Sequence, residues 1–231
     1  MTDALRFQRS SDWITTRINL QPGRDALWKA LDRDAIRWAI GKAERQGLRF
    51  VRDNSESAVH LFYLLFARTR RAMGIPVFPR KFFVAMWRHI IRSGGGQLFL
   101  VYQNDEPIHA MICFASKDTF IPAYAAPQNR WRKLYPSEYM FWNSIVWAIE
   151  HGFRSYDFGA DSFRQEGLLF FKRKWGGVQQ RMAYDFFLHR AAALPQFDSS
   201  APVYETVRKL WPLLPDTLSR AFGSWVTRQL S

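Results

Sequence analysis

The sequence contains a single cysteine and no long apolar run. One thiol in 231 residues excludes an internal disulfide and any metal site made of several cysteines. The longest uninterrupted apolar run, residues 61–67, is far shorter than the roughly 18–20 residues that a membrane-spanning helix requires. No apolar stretch follows the charged residues at the N-terminus, so we predict no secretory signal and expect a reducing, cytoplasmic location.

Motifs for bound metals, bound phosphates and reactive thiols are absent as well. No HExxH occurs and the histidines lack the spacing of metal ligands, so we interpret all of them as structural. The glycines at 94–96 lack the Lys-Ser/Thr pair of a phosphate-binding loop and predict a helix stop. Cys113 lies within a predicted strand, where a thiol is a small hydrophobic group rather than a nucleophile. The histidines are His60, His89, His109, His151 and His189.

The charge balance, in contrast, is strongly positive. Lysine and arginine number 33 against 20 aspartates and glutamates, which gives a formal net charge of +13. Such a surface attracts polyanions, and nucleic acid, anionic lipid head groups and diphosphates all stay open as partners. The chain also has 10 tryptophans and 20 phenylalanines, which predicts a thick core and aromatic-lined grooves.

Local patterns predict a mixed α/β chain. A strand over 13–20 and helices over about 24–31 and 33–46 come first. From Leu48 the order of elements is β-α-α-β-β-β-α-β-α-β, and its three middle strands are joined by short turns. In that order, strands are predicted at 48–52, 97–102, 108–115, 119–126, 155–158 and 178–189, and helices begin near Asn54-Ser55, Arg80, Pro136 and residue 164.

Three stretches carry a family resemblance. The first is Arg17-Ile-Asn-Leu20 followed by Trp28 and residues 36–48, the second is residues 152–159, and the third is residues 167–177. Together they resemble the FemAB family, the GNAT-fold relatives that attach amino acids to cell-wall precursors, and the acetyltransferase-like proteins of envelope polysaccharide clusters. The most specific part of the third stretch is the pair Phe171-Lys172.

The resemblance implies a fold and its divisions. It implies a GNAT-like splayed mixed sheet flanked by helices, of the α/β (α+β) class, with N-terminal joining helices and a C-terminal helical tail. FemAB-like proteins usually hold two GNAT-like domains, and this chain resembles the second. We therefore predict a joining segment at 1–46, a GNAT-like acyltransferase domain at 47–193 and a basic amphipathic tail at 194–231. A separate first-domain partner or a homo-oligomer stays open.

The third stretch also supplies a catalytic cation. The resemblance places Lys172 at the reaction centre, with Phe171 and Lys174 as substrate-binding neighbours. A fixed ammonium there would stabilise a developing oxyanion where apolar neighbours exclude water. Lys172 and Lys174 lie about 200° apart around a helix, so both cannot enter one cleft. The alternative is that Lys172 is a surface lysine in a basic helix.

Carboxylates near the end of the penultimate strand are the second set of candidates. Asp157 would orient the acceptor amine or take its proton. The alternative is that Asp157 caps the turn at Gly159 or pairs with an arginine. Asp161 and Glu166 are further carboxylates of the same kind.

Residues 127–136 stand where GNAT enzymes place a glycine-rich loop that holds the donor diphosphate on backbone N–H groups. This stretch contains no glycine, which departs from the coenzyme A pattern. It offers Arg130, Arg132 and Lys133 instead, and such cations bind the phosphates of a donor or of a lipid-linked or nucleotide-linked acceptor. The alternative is a solvated basic loop.

The resulting hypothesis is an acyltransferase that moves an acyl or aminoacyl group onto an amine of a cell-envelope or polysaccharide precursor. The co-substrate would be acyl-CoA or aminoacyl-tRNA, with no metal and no covalently bound cofactor. The other hypothesis is a non-catalytic basic module that binds tRNA or an anionic membrane surface. The tail at 194–231 either docks on the body or contacts the inner face of the membrane.

Overall fold

The computed structural model is a single seven-stranded sheet with helices on both faces. It describes residues 7–163, 165–187, 210–215, 217–220 and 222–223. The strands are β1 (Phe7–Asn19), β2 (Leu48–Arg52), β3 (Gly96–Gln103), β4 (Glu106–Ser116), β5 (Thr119–Ala125), β6 (Ser155–Ser162) and β7 (Val178–Phe187). The α-helices are α1 (Gly23–Ala30), α2 (Trp38–Arg45), α3 (Glu56–Ala72), α4 (Arg80–Met86), α5 (Pro136–Glu150) and α6 (Glu166–Arg173).

The sheet divides between β5 and β6. The strand order is β2-β3-β4-β5-β6-β1-β7, and every neighbouring pair is antiparallel except β5 with β6. That parallel pair is short, with Thr119 opposite Ser155 and Phe120 opposite Tyr156. From Asp157 onwards the described part of the chain gives β6 no partner on its β5 side. A cleft therefore opens towards the carboxyl ends of both strands.

Two apolar cores cover the two faces of the sheet. On one face α1, α2 and α5 pack over β3, β4 and β6, with Ile40, Trp142 and Ile145 buried among them. On the other face α3 and α4 bury Phe62 and Phe83 against β3 and β4. Because both faces of β3 and β4 are covered, these strands are almost wholly apolar rather than alternating.

Local signals explain where the helices start. The Ser55 hydroxyl accepts the Ala58 N–H at 3.2 Å, which caps α3. Asp32 caps a π-helical turn, Arg33–Arg37, that leads into α2. Pro136 occupies the first position of α5, where its missing N–H costs nothing.

The predicted fold class and element order are confirmed, and the differences are local. β2 has the predicted bounds, whereas β6 continues four residues beyond the predicted end at Phe158. The helix predicted over 33–46 starts as the π-helical turn, and α4 likewise continues into a second one, Trp87–Ile91. Asn129–Leu134, predicted as a loop, forms a 3₁₀ helix.

The predicted joining segment at 1–46 shares the sheet and the core of the following residues. β1 lies between β6 and β7, and α1 and α2 bury Leu27 and Ile40 against α5. The division at residue 46 therefore stays a prediction about domain limits. The structure shows that this segment supplies the strand that joins β6 to β7 in the sheet.

The predicted tail falls mostly outside the described residues, as does the predicted boundary at residue 193. Its described part, which we call the strap (residues 210–215, 217–220 and 222–223), packs on α3 with Trp211 buried. Within the described ranges, every helix is too short or too polar to cross a bilayer.

Candidate active site

β6 carries a bulge at the point where it leaves β5. Thr15 pairs with Ala160 and Arg17 with Asp157, so Phe158 and Gly159 together face the single residue Thr16. Gly159 has φ 79°, a conformation that favours glycine because it has no Cβ. The extra residue bends the strand, and the carbonyls of both bulge residues accept hydrogen bonds from side chains.

The Asp157 carboxylate fastens one side of this bulge. Its Oδ1 accepts the Thr15 hydroxyl and the Gly159 N–H, the latter at 2.8 Å, and its Oδ2 accepts Arg17 Nε at 2.7 Å. Both structural alternatives for Asp157, capping the turn and pairing with an arginine, are therefore realised together. A role for this carboxylate in taking the acceptor's proton stays a prediction.

Lys172 fastens the other side of the bulge. Its Nζ donates to Asp161 Oδ2 at 2.6 Å and to the Phe158 carbonyl at 2.8 Å, and it lies 3.5 Å from the Gly159 carbonyl. The side chains of Lys172 and Asp161 are 7% and 6% exposed. The alternative of a surface lysine is therefore wrong, because the ammonium is buried. Its charge is compensated by the Asp161 carboxylate and by a backbone carbonyl, as burial of a charge requires.

One aromatic ring lies beside the Lys172 ammonium, and further rings pack against that ring and against one another. The Phe158 ring centroid lies 5.7 Å from Nζ, and Trp175 is almost completely buried beside it. Phe171 is half-buried, with ring centroids 6.1 Å from Phe141 and 6.0 Å from Trp175. Lys174 points elsewhere, with its Nζ over the exposed Phe170 ring at 4.6 Å. The two lysines thus have the different directions that their helical spacing requires.

Asp157 and Lys172 act on opposite faces of the sheet. In β1, Arg17 and Ile14 are three residues apart and therefore point to opposite faces of the sheet. Their partners in β6, Asp157 and Asp161, point to the same two faces respectively. Asp161 and Lys172 therefore lie on the face covered by α5 and α6, and Asp157 lies on the face of α3 and α4. Both groups contact Gly159: Asp157 accepts its N–H, and Lys172 Nζ lies 3.5 Å from its carbonyl.

The three predicted phosphate-binding cations lie on another element. Asn129–Leu134, here called the basic turn, packs against α2 and α5, whereas α6 packs against β1 and β6. Arg130 forms an ion pair with Glu106 at the start of β4. Arg132 and Lys133 are exposed. The structure therefore leaves Arg132 and Lys133 better placed than Arg130 to meet a phosphate group.

Glu138 is a carboxylate that the sequence patterns did not single out. It lies in the first turn of α5, three residues before Phe141, which contacts Phe171. Burial raises the pKa of Glu138, and its own backbone N–H and the charge of Arg132 offset this only in part. Nothing local in the sequence marks such a residue, because its character comes from the burial that α5 acquires on packing.

The remaining candidates have ordinary structural surroundings. Glu166 is exposed at the start of α6. Burial lowers the pKa of His109 to about 3 and raises that of the Cys113 thiol, so both are neutral core residues at physiological pH. Among the described residues, no group of three or more His, Cys, Asp or Glu side chains is arranged to hold a metal ion.

Comparison with known families decides the superfamily. A family model described as an acetyltransferase (GNAT) domain matches residues 32–173, which is more than half of the chain. The chain belongs to this GNAT family. The matched residues include the cleft between β5 and β6, the bulge and Lys172, whereas the β1 partners, Lys174 and Trp175 lie outside the match.

Curated relatives agree with the FemAB-like resemblance that the motifs indicate. The lipid II:glycine glycyltransferase of Staphylococcus saprophyticus subsp. saprophyticus is 28% identical over 111 residues, covering 46% of this chain and 24% of that protein. The protein of the same name from Staphylococcus haemolyticus is 26% identical over the same shares. The chain thus spans about a quarter of the length of the curated relatives it matches.

Solved structures agree with the GNAT fold. The crystal structure of FemX superposes with a TM-score of 0.69 at 17% identity, covering 89% of this chain and 69% of that one. The structure of L-PGS from Bacillus licheniformis gives a TM-score of 0.58 at 12% identity, covering 89% and 67%. At these identities the likeness establishes the fold alone.

Proposed function

We propose that the chain transfers an acyl or aminoacyl group onto an amine of a cell-envelope precursor. The observation that carries this proposal is the buried Lys172 ammonium, held at the bulge of β6 beside the open cleft of a GNAT fold. The names of the curated relatives, glycyltransferases that act on lipid II, favour an aminoacyl group and a lipid-linked acceptor. They disfavour the non-catalytic alternative.

The cleft suits direct attack of the amine on the donor carbonyl. The edge of β6 that has no partner among the described residues offers backbone groups to an extended substrate. Attack of the amine creates a tetrahedral oxyanion that needs a nearby positive charge. Its collapse breaks the bond from the acyl carbon to the donor oxygen or sulfur, so that the tRNA hydroxyl or the thiol of coenzyme A leaves with a proton. Lys172 has three N–H donors, two of which are held by Asp161 and Phe158. The third has only the 3.5 Å contact with the Gly159 carbonyl, so it is the donor that turns to the oxyanion.

The amine must lose a proton during the attack, and two carboxylates compete for it. Asp157 already accepts three hydrogen bonds, so it would have to give up Arg17 or Thr15 first. Glu138 has a pKa raised by burial, which suits a proton acceptor better. Glu138 and Asp157 are therefore both carboxylates to test as the proton acceptor, and Asp157 also positions the bulge through Thr15, Arg17 and the Gly159 N–H.

The donor and acceptor both carry phosphate in every version of this reaction. Arg132 and Lys133 supply exposed cations, but the N-terminus of α5 already contains the carboxylate of Glu138. A diphosphate would therefore be bound by side chains rather than by the helix end. This departs from a backbone cradle for coenzyme A and leaves aminoacyl-tRNA and an acyl thioester as the two donors to test.

Mass spectrometry of the acceptor tests the proposal. A lipid-linked or nucleotide-linked cell-wall precursor is incubated with the chain and a mixed pool of charged tRNA and acyl-CoA. We expect a mass increase equal to one acyl or aminoacyl residue, and omission of each donor in turn identifies the source. Strong tRNA binding that ignores the acylation state, together with an unchanged precursor, would favour the non-catalytic module instead.

A further inference from the structure

The strap presents a row of large apolar side chains to solvent. Leu213 is 76% exposed, and Leu210, Leu218 and Phe222 are each more than half exposed. Met73, which follows the last residue of α3, is exposed as well. Scattered apolar residues are normal on a surface, but four within the few described residues of one short segment are concentrated.

The strap is held to the body in a fixed orientation. Arg71 of α3 donates from Nε and Nη2 to the Pro212 carbonyl at 3.2 and 3.1 Å. Trp211 is buried, and a Cβ added to Gly223 would lie 2.8 Å from the Val77 nitrogen, so only glycine permits this approach. One side of the strap thus faces α3 while its leucines face outwards.

Positive charge lies around these leucines. Arg68 and Arg220 line the depression between α3 and the strap, and Arg71 lies beneath Pro212. Arg80 and Arg220 both lie close enough to Tyr63 to lower its pKa, although burial raises it more. The sequence places one acidic residue, Asp216, in the segment 210–223, against these four arginines. Exposed leucines amid arginines are complementary to an anionic lipid surface, where the apolar groups enter the head-group region and the cations meet phosphates.

We infer that the strap is a membrane-docking surface that binds bilayers containing anionic lipid. This inference is independent of the proposed reaction, because its readout is binding and needs no turnover. The sequence left docking on the body and binding the membrane as alternatives. Here one side of the strap packs on α3, and the opposite side is inferred to bind the membrane.

Vesicle co-sedimentation of the full chain tests the inference. The vesicles contain phosphatidylglycerol and phosphatidylcholine in equal amounts, or phosphatidylcholine alone. We expect binding to the anionic vesicles that weakens as salt rises, and Leu213→Asp and Leu218→Asp should each reduce it about tenfold or more. Val178→Asp, which changes an equally exposed apolar residue on β7, should alter binding by about twofold at most.

Three outcomes would overturn the inference. They are no binding of the wild-type chain to anionic vesicles, equal losses for Leu213→Asp and Val178→Asp, and a concentration-dependent dimer that Leu213→Asp dissociates in the absence of vesicle binding. The last would assign the surface to a second copy of the chain. Transfer to a water-soluble acceptor, measured on the two strap variants, should be unchanged, so a failure of the proposed function would be seen separately.

Discussion

The two ends of the sheet are built on different principles. From β2 to β5 both faces are covered by helices, and even the polar residues His109 and Cys113 are fully buried. From β6 to β7 the sheet is held by polar contacts, Arg17 with Asp157 and Lys172 with Asp161. β7 is largely exposed along its whole length. We call these the closed half and the open half.

The difference separates stability from chemistry. Apolar burial on two faces stabilises the closed half without specifying any reaction. The open half buries charges, which is worthwhile only where their positions matter, because the cost of desolvation offsets much of the attraction between them. The candidate site of this GNAT domain therefore lies at the boundary, where β5 and β6 part.

The largest effect should come from the Lys172–Asp161 pair. Lys172→Ala leaves the Asp161 carboxylate buried without its partner, which should cost about 3–5 kcal/mol of unfolding free energy and about 100-fold or more in turnover. Adding Asp161→Ala should restore much of the stability but none of the turnover. The measurements are urea unfolding and initial rates.

Lys174→Ala is the matched control, because Lys174 lies over Phe170 and outside the bulge. It should change both quantities little. If the double variant recovers turnover along with stability, the ammonium has no catalytic role and the open half is only a polar scaffold.

The second prediction asks whether the closed half takes part in binding through the basic turn. Substitution of Arg130, Arg132 and Lys133 by alanine should weaken the binding of phosphate-bearing substrates. Each lost charge-assisted contact should cost about 1.5–3 kcal/mol, or roughly 10- to 150-fold in affinity. The loss should shrink as salt rises. Calorimetric titration with coenzyme A and with tRNA measures it, and Arg9→Ala, which removes an exposed ion pair far from this turn, serves as the control. Wild-type affinity of the triple variant for every donor and acceptor would contradict the assignment.

The third prediction concerns acid sensitivity of the closed half. Burial lowers the pKa of His109 to about 3 from 6.5, so the unfolded chain takes up this proton at a higher pH than the folded chain does. Stability is therefore full above the unfolded value and falls as the pH drops, by about 3 kcal/mol between the unfolded value and about pH 4.

Urea unfolding across this range measures the slope for wild type, His109→Leu and His151→Gln. The His109 variant should lose the slope, while the variant of His151, an exposed residue stacked on Trp147, should keep it. A slope that survives in His109→Leu would place the acid-sensitive group elsewhere.

The smallest effect should come from glycines with positive φ. Gly159→Ala and Gly47→Ala both place a Cβ in a left-handed conformation with open space around it, so each should cost about 1–2 kcal/mol of stability. Only Gly159→Ala should also lower turnover, because it shifts the carbonyl beside Lys172. Equal turnover in the two variants would mean that the bulge has no part in the reaction.

Much of the fold could be predicted because it depends on neighbours in sequence. The Ser55 cap, the short turns that join β3, β4 and β5, and the stop at Gly152 are all local signals, and each agrees with the structure. The position of β1 could not be predicted, since its partners lie far along the chain and its pattern fits any half-buried strand. The ion pair of Arg130 with Glu106 could not be predicted either, because the two residues lie far apart in sequence.

The candidate site was predictable in its members but not in its contacts. Lys172, Asp157 and Asp161 follow from motif and strand ends, yet the sequence does not tell that Asp161 holds Lys172 while Asp157 holds Arg17. That partition depends on the bulge, which reverses the alternation of β6. Glu138 was missed because burial, not pattern, makes it unusual.

The insertion of β1 between β6 and β7 has a consequence for how the chain assembles. Arg17 and Asp157 are 140 residues apart, whereas β3, β4 and β5 are joined by short hairpins. Loop closure over such a distance is slow, so we expect hairpin contacts to form first and the β1 ladder last. During synthesis both edges of β1 therefore stay without their partner strands until β6 and β7 have left the ribosome. Arg9 and Arg17 place positive charge along β1, and charged side chains on an exposed strand edge oppose aggregation.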